Sequence, residues 1–199
     1  LSGRLDPPDG ARFAGALIGE PDDLWLLATD AGYGFTVRLK ELFSRNRAGK
    51  AVLKLTPGAL VLPPSQVPLA EGAAPVAAKV ASEEGEEAAP PGVPPAADAR
   101  IALVNSEGRL LLFPANDVPE LPRGKGNKLF GIPTKKASTR EETVVAVAVL
   151  RAAGSLLVTS GGRQMTLTPA NLKDYVGERS QRGALLPRGW RTVDAIVAG

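Results

Sequence analysis

The 199-residue sequence predicts an all-β fold of propeller-like blades arranged about an axis. Three observations point to it. Glycine (22) and proline (18) are abundant while aromatic residues make up only 5%, so Val, Leu, Ile and Ala must fill a core built from short strands and turns. One sequence plan recurs three times, with a spacing of about 50 residues. Each copy sets a glycine between two apolar runs, as a β-hairpin does.

The first strand of each unit is read in "LWLLAT" (24–29), "RIALVN" (100–105) and "GSLLVTS" (154–160). Gly32, Gly108 and Gly162 follow as hairpin turns, where a positive φ is cheap for glycine. Five residues further on stand Val37, Phe113 and Leu167, inside the second strands; nine on stand Glu41, Asp117 and Asn171, and ten on Leu42, Val118 and Leu172, at a polar corner. A glycine-containing loop with spaced cations comes next, and then a closing strand, which in the first unit is Val52–Leu55. Gly108 and Gly162 are 54 residues apart; Gly32 and Gly108 are 76 apart, the excess being an added loop. "LSGRLDPPDGARFAGALIG" and "GWRTVDAIVAG" read as partial units, and a first residue that is leucine predicts a piece of a longer chain.

The added loop is expected within 63–99, a stretch rich in Ala, Pro and Glu without aromatics. Such composition buries too little apolar surface to offset its ordering entropy and predicts that most of the stretch is a solvated spacer, with "PVAAKVAS" as one strand at its edge. Residues 70–99 hold one lysine against six acids, a local charge of −5, which leaves +8 for the rest of a chain whose net charge is +3.

That positive charge gathers in the three equivalent loops. Residues 44–55 carry four cations and no acid, 119–136 five cations and one acid, and 173–191 five cations and two acids. Radial repetition would put them on one rim, a track for an extended polyanion. The candidate contacts are Arg45, Arg47, Lys50, Lys54, Arg123, Lys125, Lys128, Arg179, Arg182 and Arg188. No aromatics alternate with them as a stacking platform for single strands requires, and Tyr175 and Phe130 are expected to pack, so the backbone of a duplex is the expected partner. The bland alternative is that the glycines only turn corners and the cations only keep the rim solvated.

Other chemistry is restricted. With no cysteine and no histidine, disulfides, thiolate or imidazole metal sites and Ser-His-Asp or Cys-His mechanisms are excluded. Absence of cysteine fits a reducing cytoplasm. No apolar run approaches the 18 residues of a membrane span, and no signal peptide opens the sequence. Glu41, Asp117 and Asp174 lie at repeat corners, where they are expected to bond turn N–H groups.

"GYGF…ELFSRNRAGKAVLKL", "GRLLLFPANDVPELPRGKGNKLFGIP" and "GERSQRGALLPRGWRTVD" resemble the C-terminal domain of ParC, the A subunit of bacterial topoisomerase IV, over essentially the whole chain except 70–99. The sister family, the gyrase A C-terminal domain, carries a glutamine-led, arginine- and glycine-rich heptad; "SRNRAGKA" is a degenerate version, which favours topoisomerase IV. The resemblance implies a β-pinwheel of four-stranded blades with strands exchanged between neighbours. Three to four blades in one domain spanning 1–199, with 70–99 inserted, are expected to form an incomplete, open arc. It implies duplex DNA held or bent along a basic edge, in support of decatenation and supercoil relaxation during chromosome segregation. It places the cleaving tyrosine outside this chain, so Tyr33 and Tyr175 have no such role, and it assigns ATP and magnesium to the holoenzyme, with no cofactor here. The implied partners are the rest of ParC and the B subunit of topoisomerase IV, in a heterotetramer. The implied setting is the cytoplasm and nucleoid, with peripheral inner-membrane association allowed. Two alternatives stay open: a gyrase-type DNA-wrapping domain, and a protein-interaction propeller whose acidic insert hooks a basic partner.

Overall fold

The computed structural model describes residues 15–46, 48–77 and 80–199; most of the opening partial unit lies outside them. In chain order the strands are β1 (Leu24–Ala28), β2 (Tyr33–Arg38), β3 (Ser65–Val67), β4 (Ala99–Asn105), β5 (Arg109–Pro114), β6 (Asn127–Lys128), β7 (Val144–Arg151), β8 (Leu156–Ser160), β9 (Arg163–Leu167), β10 (Ala184–Leu185) and β11 (Ala195–Ala198). Two short helices, α1 (Thr134–Ser138) and α2 (Pro169–Leu172), are added. The three expected hairpins are β1–β2, β4–β5 and β8–β9, all antiparallel. Gly32, Gly108 and Gly162 turn them at φ 82°, 71° and 76°.

The hairpins seed three antiparallel sheets with strand orders β3-β1-β2-β6, β7-β4-β5-β10 and β11-β8-β9. The outer strand of each four-stranded sheet comes from the following unit. Asn127 and Lys128 of β6 pair with Gly34 and Tyr33 of β2. Ala184 and Leu185 of β10 pair with Leu110 and Arg109 of β5. This is the strand exchange expected of a pinwheel. Among the described residues, β9 ends the third sheet, which leaves three strands there where four were expected.

The blades stack face to face. Successive side chains of a strand point to opposite faces, so β4 and β5 feed two cores at once. Ile101, Leu103, Leu111 and Phe113 pack with Leu24 and Leu26 of the first sheet. Ala102, Val104, Leu110 and Leu112 pack with Leu156 and Val158 of the third. Burial on both faces explains why these strands read as continuous apolar runs and not as alternating ones. Val37, Phe113 and Leu167, the aligned second-strand positions, are all buried.

The structure differs from the sequence reading in three places. Val52–Leu55, expected as a strand, forms only an isolated parallel bridge between Leu53 and Gly124. Its counterparts β6 and β10 each meet the free edge of a preceding hairpin; among the described residues no such edge faces Val52–Leu55, and it lies against the second unit's loop. The run Val144–Arg151, which the repeat alignment leaves unassigned, is the longest strand, β7, paired along the whole of β4.

The third difference is confined to part of 63–99, most of which is irregular chain. Within 63–99, Ser65–Val67 is β3, hydrogen-bonded to β1. The chain then leaves and returns as a loose ribbon, bridged at Leu69–Pro95 and Val76–Gly92, and Ala89, Ala96 and Ala99 are buried. Of "PVAAKVAS", Val76 makes that bridge, while residues 78–79 lie outside the described residues. The ribbon is held by main-chain bonds such as Ala70 N–H to Pro94 O at 3.0 Å and Ala89 N–H to Glu120 O at 3.1 Å. Main-chain pairing satisfies donors without asking for apolar side chains, so composition does not reveal it.

Candidate nucleic-acid interface

Each hairpin runs into a helical corner: a 3-10 turn at Leu39–Leu42, another at Ala115–Asp117, and α2. In the third corner Thr168 and Asn171 form a reciprocal cap, with Asn171 accepting from Thr168 N–H at 3.2 Å. The corners aim the chain out of the sheets and start the three basic loops.

The loops touch in sequence. Lys54 N–H donates to Gly124 O and Gly124 N–H to Val52 O, both at 2.8 Å, which joins the first loop to the second. Ser180 N–H donates to Leu129 O at 3.0 Å and Gly131 N–H to Gln181 O at 2.8 Å, which joins the second to the third. Arg179 Nη1 adds a bond to Lys128 O at 2.7 Å. The basic segments are thus neighbours, linked one to the next through the second.

Glycine in these loops serves the fold first. A Cβ on Gly126 would stand 2.1 Å from Gly34 O, and one on Gly183 2.4 Å from Leu110 O. Each sits beside an exchanged strand, so its missing side chain lets β6 or β10 reach the preceding hairpin. A Cβ on Gly49, in the first loop, would meet nothing within 4 Å.

The ten candidate cations fall into different settings. Arg45, Lys50, Arg123 and Arg188 are exposed, with no ion pair among the described residues. Arg47 lies outside the described residues. Lys128 Nζ donates to Ile132 O at 3.0 Å. Arg182 is drawn into a partly buried cluster, 2.7 Å from Glu107 and 2.9 Å from Glu142, whose side chain is fully buried. Asn105, Lys136 and Arg109 join that cluster. Lys54, Lys125 and Arg179 meet carboxylates of the Ser82–Glu86 turn.

No sequence signal marked those carboxylates as partners. Glu84 reaches Lys54 Nζ at 3.2 Å and Lys125 Nζ at 3.0 Å, spanning the first two loops. Glu83 accepts from Arg179 Nη1 at 2.7 Å and from Lys128 N–H at 3.3 Å, spanning the second and third. Glu86 accepts the main-chain N–H groups of Lys125 and Gly126 at 2.6 and 3.2 Å. Hydrogen bonds from Lys125 and then Lys54 hold the Glu84 carboxyl below its ordinary value. Burial alone would lower Lys125, but Glu84, Tyr33 and Glu83 together raise it. Lys125 Nζ also sits 4.1 Å above the centre of the Tyr33 ring. Beside this contact an open cleft of about 470 Å³ runs between the first two loops, with Val52, Leu53, Arg123 and Glu86 on its walls.

Tyr175 and Phe130 are buried, as expected of packing residues. Burial and then Asp174 push the Tyr175 hydroxyl up. Among the described residues no group of three or more Asp or Glu is placed to hold a metal ion, and no helix is long and apolar enough to cross a membrane.

The DNA gyrase C-terminal domain, β-propeller, matches residues 23–67 and 99–151, leaving out 68–98 within that span. The A subunit of DNA topoisomerase 4 from Pseudomonas aeruginosa is 40% identical over 197 residues, which are 99% of this chain and 23% of that protein. Its Escherichia coli counterpart is 35% identical over 196 residues, 98% of this chain and 22% of that protein. The chain therefore spans less than a quarter of the length of these relatives. The structure of the E. coli ParC C-terminal domain superposes with a TM-score of 0.76 at 32% identity, over 100% of this chain and 69% of that one. The gyrase A C-terminal domain structure gives a TM-score of 0.58 at 16% identity over 87% of this chain and 48% of that one, a likeness of fold.

Proposed function

This chain belongs to the gyrase A C-terminal β-propeller family, as a C-terminal domain of ParC, the A subunit of topoisomerase IV, and from that premise we propose that it binds duplex DNA along its three basic loops. The catalytic portion of ParC lies outside the stretch matched here. In the proposed role the domain holds or bends the transported segment for an ATP-dependent type IIA topoisomerase, alongside the rest of ParC and the B subunit. Decatenation and supercoil relaxation during chromosome segregation are the activities it would serve, in the cytoplasm at the nucleoid.

One observation carries this reading: basic segments from three successive repeats are in direct main-chain contact, loop 52–54 with Gly124 and 129–131 with 180–181. A rigid duplex presents phosphates over many ångströms, so a line of cations on a rigid scaffold can engage several at once. Lys and Arg at a rim read backbone, not bases, and imply little sequence preference. The protein-interaction alternative asks the acidic insert to face outward for a partner, yet Glu83, Glu84 and Glu86 are turned onto the chain's own loops.

The test is a salt titration of binding to linear and supercoiled duplexes. Arg123→Ala with Lys125→Ala should weaken binding on every sequence and reduce the slope of log K against log salt by about 0.9 for each phosphate no longer neutralised. Unchanged affinity would remove the second loop from the interface.

A further inference from the structure

We propose that the turn Ser82–Glu86 is an internal polyanion seated on the phosphate-binding positions of the basic loops, so that duplex DNA must displace it to lie across all three. The inference rests on the DNA-binding reading above and adds a competitor built into the chain.

The contacts specify the competition. Three glutamates within four residues each take donors that suit a phosphate oxygen: two lysine ammonium groups for Glu84, a guanidinium and a main-chain N–H for Glu83, two successive main-chain N–H groups for Glu86. Every basic loop is touched. The turn is held in shape from within and from below. Ser82 Oγ donates to Glu86 at 2.9 Å, Gly85 takes φ 69°, and Glu83 N–H is anchored on Asn127 Oδ1 at 2.7 Å. Lys125 and Gly126 offer paired N–H groups, an anion-binding arrangement that phosphate and carboxylate fill alike.

The blades do not depend on this turn. The family match leaves out 68–98, and β3, which the first sheet uses, ends at Val67. A tethered anion competes at a high effective concentration without adding affinity for anything outside the chain. Apparent DNA affinity is then the intrinsic affinity multiplied by the fraction of molecules whose loops are uncovered.

The test compares two triple variants of equal charge change in the 199-residue chain. Glu83→Gln, Glu84→Gln and Glu86→Gln release the turn. Glu20→Gln, Glu71→Gln and Glu141→Gln remove three exposed acids without an ion pair among the described residues. Fluorescence anisotropy with a short duplex should show affinity raised on the order of tenfold in the first set and far less in the second. In the unsubstituted protein, hydrogen exchange should accelerate over 80–88 when duplex is added while 124–128 stays protected, a measurement that depends on no variant. Equal affinity in the two triples, with exchange over 80–88 unchanged by DNA, overturns the inference while leaving the DNA-binding reading intact. Failure of all three proteins to bind duplex overturns both.

Discussion

Arg38, which is buried, and Glu120, which is half-buried, lie 82 residues apart and form a two-pronged pair: Nε donates to Oε1 at 2.8 Å and Nη2 to Oε2 at 2.9 Å. The remaining donors of Arg38 reach Asp22 O at 2.9 Å and Val93 O at 2.6 Å. One guanidinium thus ties the end of β2 to the second unit's crossover and to the returning arm of the 68–98 ribbon. Its side chain is 3% exposed and that of Glu120 12%.

Removing either partner strands a buried charge. Arg38→Ala and Glu120→Ala should each lower unfolding stability by about 3–5 kcal/mol, read by urea denaturation. The two losses should be strongly non-additive in the double variant. Additive losses would mean that the pair is not coupled.

Two loop glycines separate backbone strain from close approach. Gly49 and Gly126 have φ 79° and 73°, yet only the second meets backbone, at Gly34 O. Gly49→Ala should cost about 1–2 kcal/mol for the left-handed conformation alone. Gly126→Ala should cost more and loosen β6 from β2, visible as faster hydrogen exchange at Gly34 and at Leu129, whose N–H donates to Gly32 O at 2.7 Å. Equal costs would show that β6 can shift without loss.

Arg182 and Arg188 are both candidate contacts in the third loop, but their surroundings predict different responses. Arg182→Ala leaves the buried Glu142 carboxylate with fewer donors and should reduce thermal stability by on the order of 2 kcal/mol. Arg188→Ala, at an exposed position, should stay within about 0.5 kcal/mol. A stable Arg182→Ala protein would assign that arginine to the surface.

The Glu84 ion pairs set a pH window. The carboxyl is depressed by Lys125 and Lys54, so the pairing is fully present above the ordinary Glu value and disappears as pH falls through the lowered one. Carboxyl carbon NMR should show Glu84 titrating below the usual range, and Lys54→Met with Lys125→Met should move its midpoint upward. A midpoint that does not move would mean the lysines do not hold it.

The hairpins are legible in the sequence because their causes are local. A glycine at a fixed offset from apolar runs fixes turn and register within a dozen residues, and the aligned Val37, Phe113 and Leu167 are buried as that register requires. The likeness of the basic loops is legible for the same reason. The neighbour that β6 or β10 pairs with is not, since a two-residue strand joined by main-chain bonds leaves almost no side-chain pattern to read. β7 escapes a repeat anchored on the glycine turns, although its unbroken apolar run is a usable signal.

Local chemistry in the sequence by itself determined three hairpins, the polar corners that follow them and three cationic loops of one kind. Only the tertiary structure decided which residues cross between blades, that Arg182 serves a buried carboxylate, and that Glu83, Glu84 and Glu86 settle on those loops. The physical reason is range. Turn geometry and strand periodicity act between near neighbours, whereas the partner of a charge such as Arg179, 96 residues from Glu83, is set by how whole sheets stack, and stacking depends on both faces of every blade together.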